Sequence, residues 1–290
     1  ATAISSGGSQ VIIGHNAADD STFSSQASNV IIGRNAASNV SFSNYDDENV
    51  YIGSSAGSNA VGNQSVGVGA SAGSGVRQFS VDIGYNAGSS NGTENVTIGY
   101  NAMTNSGGEG SPYNVAIGYR ALQGNSYSIN AGSVAVGYEA LKNNYRANYS
   151  TAVGYQAGYS QYGNTSGTSD FDKASYNTYL GYKAGYTNYT GSNSIVIGPE
   201  AASGSAHVDK SLIIGSGSFN LISGSFVTGD IEFKNTASAP NFSGSFQGDG
   251  SNLTGVTVSG VLLASNNLSD VANASTSRTN LGVAIGSDVQ

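Results

Sequence analysis

The chain has 290 residues and a formal net charge of −8, with ten Lys and Arg against eighteen Asp and Glu, two histidines and no cysteine or tryptophan. Lack of cysteine excludes disulfide scaffolds, thiolate metal sites and cysteine nucleophiles, and the acidic balance has the wrong sign for a nucleic-acid surface. No apolar run approaches the roughly 20 residues a membrane-crossing helix needs, and no charged-then-apolar leader opens the chain, so membrane insertion is not expected.

Forty-two glycines, 48 serines, 31 asparagines and only 10% charged residues resemble low-complexity sequence. The 38% of hydrophobic residues are periodic, however, and that pattern argues for an ordered fold. Opening without methionine, the chain is expected to be processed or to be a piece of a longer protein.

From the N-terminal end to residue 215 one unit recurs: aliphatic, any, aliphatic, Gly, any, any, Ala. Val96-Thr97-Ile98-Gly99-Tyr100-Asn101-Ala102 is one instance, and Val134-Ala135-Val136-Gly137-Tyr138-Glu139-Ala140 is another. The anchoring glycines are Gly14, Gly33, Gly53, Gly69, Gly84, Gly99, Gly118, Gly137, Gly154, Gly181, Gly198 and Gly215. Eleven of these twelve units carry the alanine, among them Ala102, Ala121, Ala140 and Ala157. The positions three and one before the glycine are aliphatic in 22 of 24 cases, the exceptions being Thr151 and Thr178. The residue between them is free, as Tyr51, Asp82, Thr97 and Tyr179 show.

Alternation of this kind predicts a short β-strand with one buried face, followed by a glycine turn and a close backbone approach at the alanine. Ser, Asn, Gly and Thr in the connections favour turns. Strands this short are not stable alone, so the chain is expected to coil, stacking equivalent aliphatics as continuous inner ladders. Each coil then has a thin core of two aliphatics and an alanine, which barely offsets the ordering of so many residues. Association of several chains is expected.

Units such as Asn114-Val-Ala-Ile-Gly-Tyr-Arg-Ala121 and Ser133-Val-Ala-Val-Gly-Tyr-Glu-Ala140 resemble the head repeats of trimeric autotransporter adhesins, the YadA-like β-roll. The Gly-Tyr-x-Ala variant at Tyr85, Tyr100, Tyr119, Tyr138, Tyr155 and Tyr182 also resembles repeat arrays in tailed-bacteriophage fibres. The resemblance covers roughly residues 10–218. It implies an all-β fold: a trimeric left-handed parallel β-roll or β-solenoid of about twelve coils around a three-fold axis, spanning 1–218.

After Gly215 the repeat stops. Ser223-Gly-Ser-Phe226 and Ser243-Gly-Ser-Phe246 form a looser echo with Gly-Asp turns, which predicts a trimeric β shaft over 219–262. The run Asn267-Leu-Ser-Asp-Val-Ala-Asn-Ala-Ser-Thr-Ser-Arg-Thr-Asn-Leu-Gly282 is similar to a segment of phage tail fibres, with Ser277 replacing the usual alanine. Ser269 can cap a helix from Asp270, Val271, Ala274, Arg278 and Leu281 fall at helical spacing, and Gly282 is a stop, so 263–290 is expected to hold a short helix and junction.

Two Gly-x-Ser-x-Gly matches, Gly53–Gly57 and Gly69–Gly73, occupy the ordinary repeat slot, with no helix behind them and with His15 and His207 far apart in the array. A serine hydrolase is not expected. Asp46-Asp47-Glu48 and Asp170-Phe171-Asp172 are the only candidate carboxylate pairs for glycoside hydrolysis, and both sit in polar connections. Asp19-Asp20 and Asp46–Glu48 do not follow EF-hand spacing, and no metal or cofactor is expected. The six tyrosines would stack along one line, either packing between coils or chains or forming a sugar-binding stripe.

The 27-residue spacing from Gly154 to Gly181 inserts a loop rich in Tyr, Ser, Gly and Asn, the composition of adaptable binding loops. Tyr159, Tyr162, Asp170, Phe171, Asp172 and Tyr176 are its candidate ligand contacts. The resemblance implies a homotrimeric tail-fibre segment of a virion. Its partners would be other tail or baseplate proteins and a host-surface glycan or protein receptor. A bacterial adhesin head at the cell surface and a glycan-degrading tailspike remain the alternatives.

Overall fold

The computed structural model describes residues 8–21, 28–40, 48–60, 63–75, 78–89, 92–104, 111–124, 131–145, 148–162 and 174–234. The chain divides into two units, Ala1–Ala237 and Ser238–Gln290, and all described residues belong to the first. The strands are β1 (Val11–Ile13), β2 (Val30–Ile32), β3 (Val50–Ile52), β4 (Val66–Val68), β5 (Val81–Ile83), β6 (Val96–Ile98), β7 (Val115–Ile117) and β8 (Val134–Val136), then β9 (Asn143–Tyr145), β10 (Thr151–Val153), β11 (Ser160–Tyr162), β12 (Thr178–Leu180), β13 (Ile195–Ile197), β14 (Ser211–Ser216), β15 (Phe219–Ser225) and β16 (Ile231–Phe233).

Every glycine-anchored strand lies beside the next in one 14-stranded sheet, ordered β1 to β8, then β10, β12, β13, β14, β15 and β16. Pairing from β1 through β14 is parallel and in strict repeat register: Val96 faces Val115, Thr97 faces Ala116 and Ile98 faces Ile117. A parallel β-solenoid of about nine turns results, fewer than the twelve coils the glycine count predicts. At its ends β1 is flanked on one side alone among the described strands, and β14 turns back through antiparallel β15 and β16. Among the described residues there is no helix. The helix expected over 263–290 and the shaft beyond Lys234 lie outside them.

One expectation is inverted. The repeated aliphatics do not form the inner ladder. In strand after strand the middle residue is buried and the two flanking aliphatics are half-buried or exposed. Ile31, Tyr51, Asp82, Thr97, Ala116, Ala135, Ala152, Tyr179 and Val196 are all fully buried, whereas Ile13 is 58% exposed and Leu180 47% exposed. Period-2 alternation fixes that one face differs from the other, but it carries no sign for which face points into the coil.

The interior is filled by complementary sizes. The strand-middle residue shares its coil with the fourth residue after the glycine. A small middle residue accompanies a large partner there, as in Ala116 with Leu122 and Ala135 with Leu141; all four are fully buried. A large middle residue demands glycine instead. A Cβ added at Gly185 would lie 2.0 Å from Cε1 of Tyr179, and one at Gly57 would lie 2.5 Å from the ring of Tyr51. The coil with Gly67 and Gly73 holds no side chain at either slot, and the Tyr51 ring reaches into it from the coil before. Close packing is thus kept although single residues vary from Gly to Tyr.

Two further columns fix the coils to one another. At each anchoring glycine the space of a Cβ is taken by the carbonyl oxygen of the next anchoring glycine: 2.3 Å at Gly33, 2.4 Å at Gly53, 2.5 Å at Gly84 and 2.3 Å at Gly99, Gly118 and Gly137. At Gly154 the distance is 2.4 Å and at Gly181 2.8 Å. Ala102, Ala121, Ala140 and Ala157 are fully buried three residues on. The second column precedes each strand. Asn49 donates its backbone N–H to Asn29 Oδ1 (2.8 Å), Ser65 to Asn49 Oδ1 (2.9 Å) and Ser133 to Asn114 Oδ1 (2.8 Å). Ser194 and Ser211 continue it through Asn177 Oδ1 (3.0 Å) and Ser194 Oγ (3.1 Å). Buried backbone donors at the coil corner are satisfied by these side chains.

Candidate interaction surfaces

The outer face of the sheet is the most extended surface feature. Its two columns are the residues three and one before each glycine: Val81 and Ile83 in β5, Val96 and Ile98 in β6, Val115 and Ile117 in β7. Both columns run on into the antiparallel end. Leu212 pairs with Gly224 and Gly224 with Ile231; Ile214 pairs with Ile222 and Ile222 with Phe233. Directly paired residues share a sheet face, so one largely apolar stripe crosses from β1 to β16, interrupted in its first column by Thr151, Thr178 and Gly224. It ends on Phe233, 56% exposed, and Ile231, 61% exposed.

Beside the glycine corner runs the tyrosine column. Tyr85, Tyr100, Tyr119, Tyr138, Tyr155 and Tyr182 stack in order, with ring centroids 4.8–5.4 Å apart and planes within 20° of parallel. Rings are therefore packed coil on coil, the first of the two sequence readings. Their faces are taken up by one another, whereas a sugar platform needs a free face. Arg120 lies 5.1 Å above the Tyr119 ring and Lys183 5.2 Å above that of Tyr182.

Polar groups beside this column are mutually compensated. Glu139 accepts hydrogen bonds from Lys142 Nζ (2.6 Å) and Gln156 Nε2 (2.8 Å). Burial opposes its charge, but these two donors and the Lys142 and Arg120 cations outweigh it and hold the carboxyl below the usual range. Asp209 behaves alike: burial opposes ionisation, while the backbone N–H and Oγ of Ser192 (both 3.0 Å), with Lys210 and His207, lower its pKa. Tyr179 lies wholly inside, its hydroxyl accepting from Gln161 Nε2 (2.6 Å) and Asn188 Nδ2 (2.8 Å). Desolvation raises its pKa, so it is a neutral structural phenol.

The candidate loop contacts fall at separate places. Tyr159 stacks on Tyr186 at 4.8 Å, with Lys142 5.4 Å from its ring. Tyr176 is exposed in another column, stacked on Tyr149 at 5.2 Å. Tyr162 ends β11, and Asp170, Phe171 and Asp172 lie outside the described residues, as do Asp46 and Asp47. Ser55 and Ser71, at the centres of the two Gly-x-Ser-x-Gly matches, sit on left-handed corner positions with φ near 57°. His15 follows β1 and His207 precedes β14, its Nδ1 3.0 Å from Thr190 Oγ1. Among the described residues no three His, Cys, Asp or Glu side chains gather to hold a metal.

Sequence reasoning missed the Asn/Ser ladder, although its signal was present: the fourth residue before the glycine is Asn or Ser in eleven of the twelve units. It also missed that Phe79, Tyr113, Tyr149 and Tyr176 hold left-handed backbone, with φ of 54–62°. Glu94 beside Tyr113, as hydrogen-bond partner and negative charge, raises the Tyr113 pKa.

The fold and surfaces define the class: a parallel β-solenoid carrying an exposed, largely apolar sheet face. Comparison with protein-family models, with curated proteins and with solved structures finds no match.

Proposed function

We propose that this chain is a structural and adhesive segment of a homotrimeric fibre, the tail fibre of a bacteriophage, that reaches to a host cell and attaches there. The outer aliphatic stripe carries the proposal. At about 4.8 Å per strand, fourteen strands make it roughly 60 Å long, well beyond the scattered apolar residues of a soluble monomer. A partner touching every rung must have the same rise and twist as this solenoid. Another copy of the chain meets that condition by construction. The stripe is only two side chains wide, so three left-handed coils can close their stripes around one axis, in agreement with the repeat resemblance.

Such an assembly is stiff for reasons visible in one chain. Backbone bonds run from coil to coil on both sides of the corner, as from Arg120 N–H to Tyr100 O (2.9 Å) and from Leu122 N–H to Ala140 O (2.9 Å). The fibre spaces a receptor contact, glycan or protein, away from the tail or baseplate proteins that hold it. Its place is the virion tail.

Sedimentation equilibrium of the wild type and of the Ile98→Asp/Ile117→Asp double variant tests the assembly. The wild type sediments as a trimer and the variant as a monomer; a monomeric wild type overturns the reading. Antibody against the chain, imaged on intact particles, tests the setting. Label is expected on tail-borne fibres, and label on a bacterial surface instead overturns the phage assignment.

A further inference from the structure

We infer that the corner of the last two parallel coils, around Thr190, Ser192, His207, Asp209 and Lys210, is a binding site for a neutral sugar ring of a cell-surface glycan. The inference rests on the preceding reading that the chain attaches to a host cell, and it names the place and the chemistry of that contact. These five residues line a surface cavity of about 390 Å³, within the range of small-ligand clefts. Their places follow from the repeat. Counted back from Gly198 and Gly215, Thr190 and His207 hold one slot, Ser192 and Asp209 a second, and Asn193 and Lys210 a third. The Lys210 N–H donates to Ser192 O (2.7 Å) and the Phe226 N–H to Lys210 O (2.8 Å), so the backbone under the cavity is fixed by the fold.

The polar groups here are each only half committed within the chain. Both bonds from Ser192, through its backbone N–H and its Oγ at 3.0 Å, go to Asp209 Oδ1, which leaves Oδ2 as an acceptor. Thr190 Oγ1 takes up His207 Nδ1 at 3.0 Å, which leaves Nε2 on this exposed ring. Lys210 is exposed, and its charge reaches the Asp209 carboxylate. Opposite charges side by side select the ligand: Lys210 repels a free cation and Asp209 an anion, whereas an uncharged molecule with hydroxyls donates to Asp209 and accepts from Lys210. An aromatic face stands on the same corner. Tyr149, Tyr176, Asn193 and Lys210 occupy one slot in consecutive coils. The Tyr176 ring stacks on Tyr149 at 5.2 Å, and its other face turns to the Asn193 coil, which has no ring at this slot. Tyr176 also holds φ 60° with its side chain 47% exposed, a costly place for a bulky residue where the next coil uses Asn193. From Tyr176 to Lys210 is two strand spacings, about 10 Å, and two carbon contacts of about 3.5–4 Å each leave room for one ring between them. The complement of an aromatic face with a donor and an acceptor at its edge is a pyranose, with C–H bonds on its face and hydroxyls around its rim.

Saturation-transfer difference NMR on the full chain tests the site. The neutral probes are the methyl glycosides of glucose, galactose, mannose and N-acetylglucosamine, and the anionic probe is that of glucuronic acid. At least one neutral probe is expected to receive saturation at its ring C–H protons, and the glucuronide none. Tyr176→Asn and Lys210→Asn place at this left-handed slot the residue that the Asn193 coil already carries there. Each is expected to weaken binding of that probe about tenfold, the loss of one good contact. Tyr113→Asn, at the same slot three coils earlier, is expected to bind as the wild type does. If an asparagine variant loses the wild-type circular dichroism spectrum, His207→Ala, on an exposed side chain, decides in its place by the same tenfold criterion. Undiminished binding in the folded variants, preference for the glucuronide, or a wild type that binds no probe each overturns the site. Sedimentation keeps the preceding reading separate: a monomer whose binding depends on Tyr176 and Lys210 upholds the site and fails the trimer, and a trimer that binds no probe does the reverse.

Discussion

Replacing Gly99 by alanine tests whether the glycine column is obligatory. The φ of Gly99 is +137°, and its added Cβ would stand 2.3 Å from the carbonyl oxygen of Gly118 and 2.7 Å from that carbonyl carbon. Ordinary contact begins near 3.4 Å, so the two coils must separate locally by about 1 Å. The bonds that would stretch are Gly118 N–H to Ile98 O, now 2.7 Å, and Arg120 N–H to Tyr100 O, now 2.9 Å. Losing both costs about 2 kcal/mol, and alanine in so unfavourable a backbone region adds about 1–3 kcal/mol. A total near 3–5 kcal/mol is a large share of the 5–15 kcal/mol typical of a folded domain. Gly204→Ala is the control, because nothing lies within 4 Å of its added Cβ, and it is expected to stay within about 0.5 kcal/mol of wild type. Urea unfolding followed by far-ultraviolet circular dichroism, at one protein concentration, measures both. If Gly99→Ala is no less stable than Gly204→Ala, the stacking argument is wrong.

Three further perturbations probe the interior. Gly185→Ala alone is expected to cost more than about 2 kcal/mol because its methyl enters the Tyr179 ring, whereas in a Tyr179→Ala background the added cost falls to about 1 kcal/mol. Leu122 and Leu141 adopt the same left-handed backbone at this slot, so the coupling reports the ring and not the φ angle; additive effects would reject the size complementarity. Asn114→Ala leaves the buried Ser133 N–H without its acceptor and is expected to lower unfolding stability by about 1–3 kcal/mol, with Asn114→Ser losing less, since serine fills this slot in other coils. Glu139 has a folded pKa below its unfolded value, so its contribution is present above about pH 4 and disappears as pH falls through the lower folded value. Glu139→Gln is therefore expected to flatten the acid limb of the stability profile, and an unchanged limb would reject the Lys142 and Gln156 bonds as its source.

The coiled parallel sheet was legible in the sequence because strand, glycine and alanine recur with the geometry that stacking imposes. Glycine at position 99 has one physical cause, a neighbouring carbonyl, and such positions tolerate no substitution that would blur the pattern. The sign of the alternation was not legible. Thr97 and Asp82 read as solvent-facing by polarity, yet both are fully buried. The Thr97 hydroxyl finds a weak acceptor inside the coil, donating to Met103 Sδ at 3.9 Å. Asn29, Asn49 and Asn114 were read as turn formers, which a single-chain composition argument cannot separate from a ladder. Only the alignment of equivalent positions across coils reveals that each asparagine's Oδ1 serves the next coil, while Asn114 Nδ2 also bonds Ser111 O and Pro112 O in its own turn.

That division of labour explains why variation is distributed as it is. The inner slots tolerate exchange between Gly, Asp, Thr, Ala, Val, Ile and Tyr because volume is balanced either by the partner four residues past the glycine or by a large side chain from the adjacent coil, as Tyr51 fills the coil of Gly67 and Gly73. The outer slots are nearly invariant Val and Ile although they carry no burden inside the chain, being half-buried or exposed. An exposed position free of outside constraint should drift toward polar residues, since apolar side chains there gain nothing from folding. Uniformity on the outside and variety on the inside is what the proposed trimer would impose. That trimer would supply a constraint on the outer columns longer than one coil.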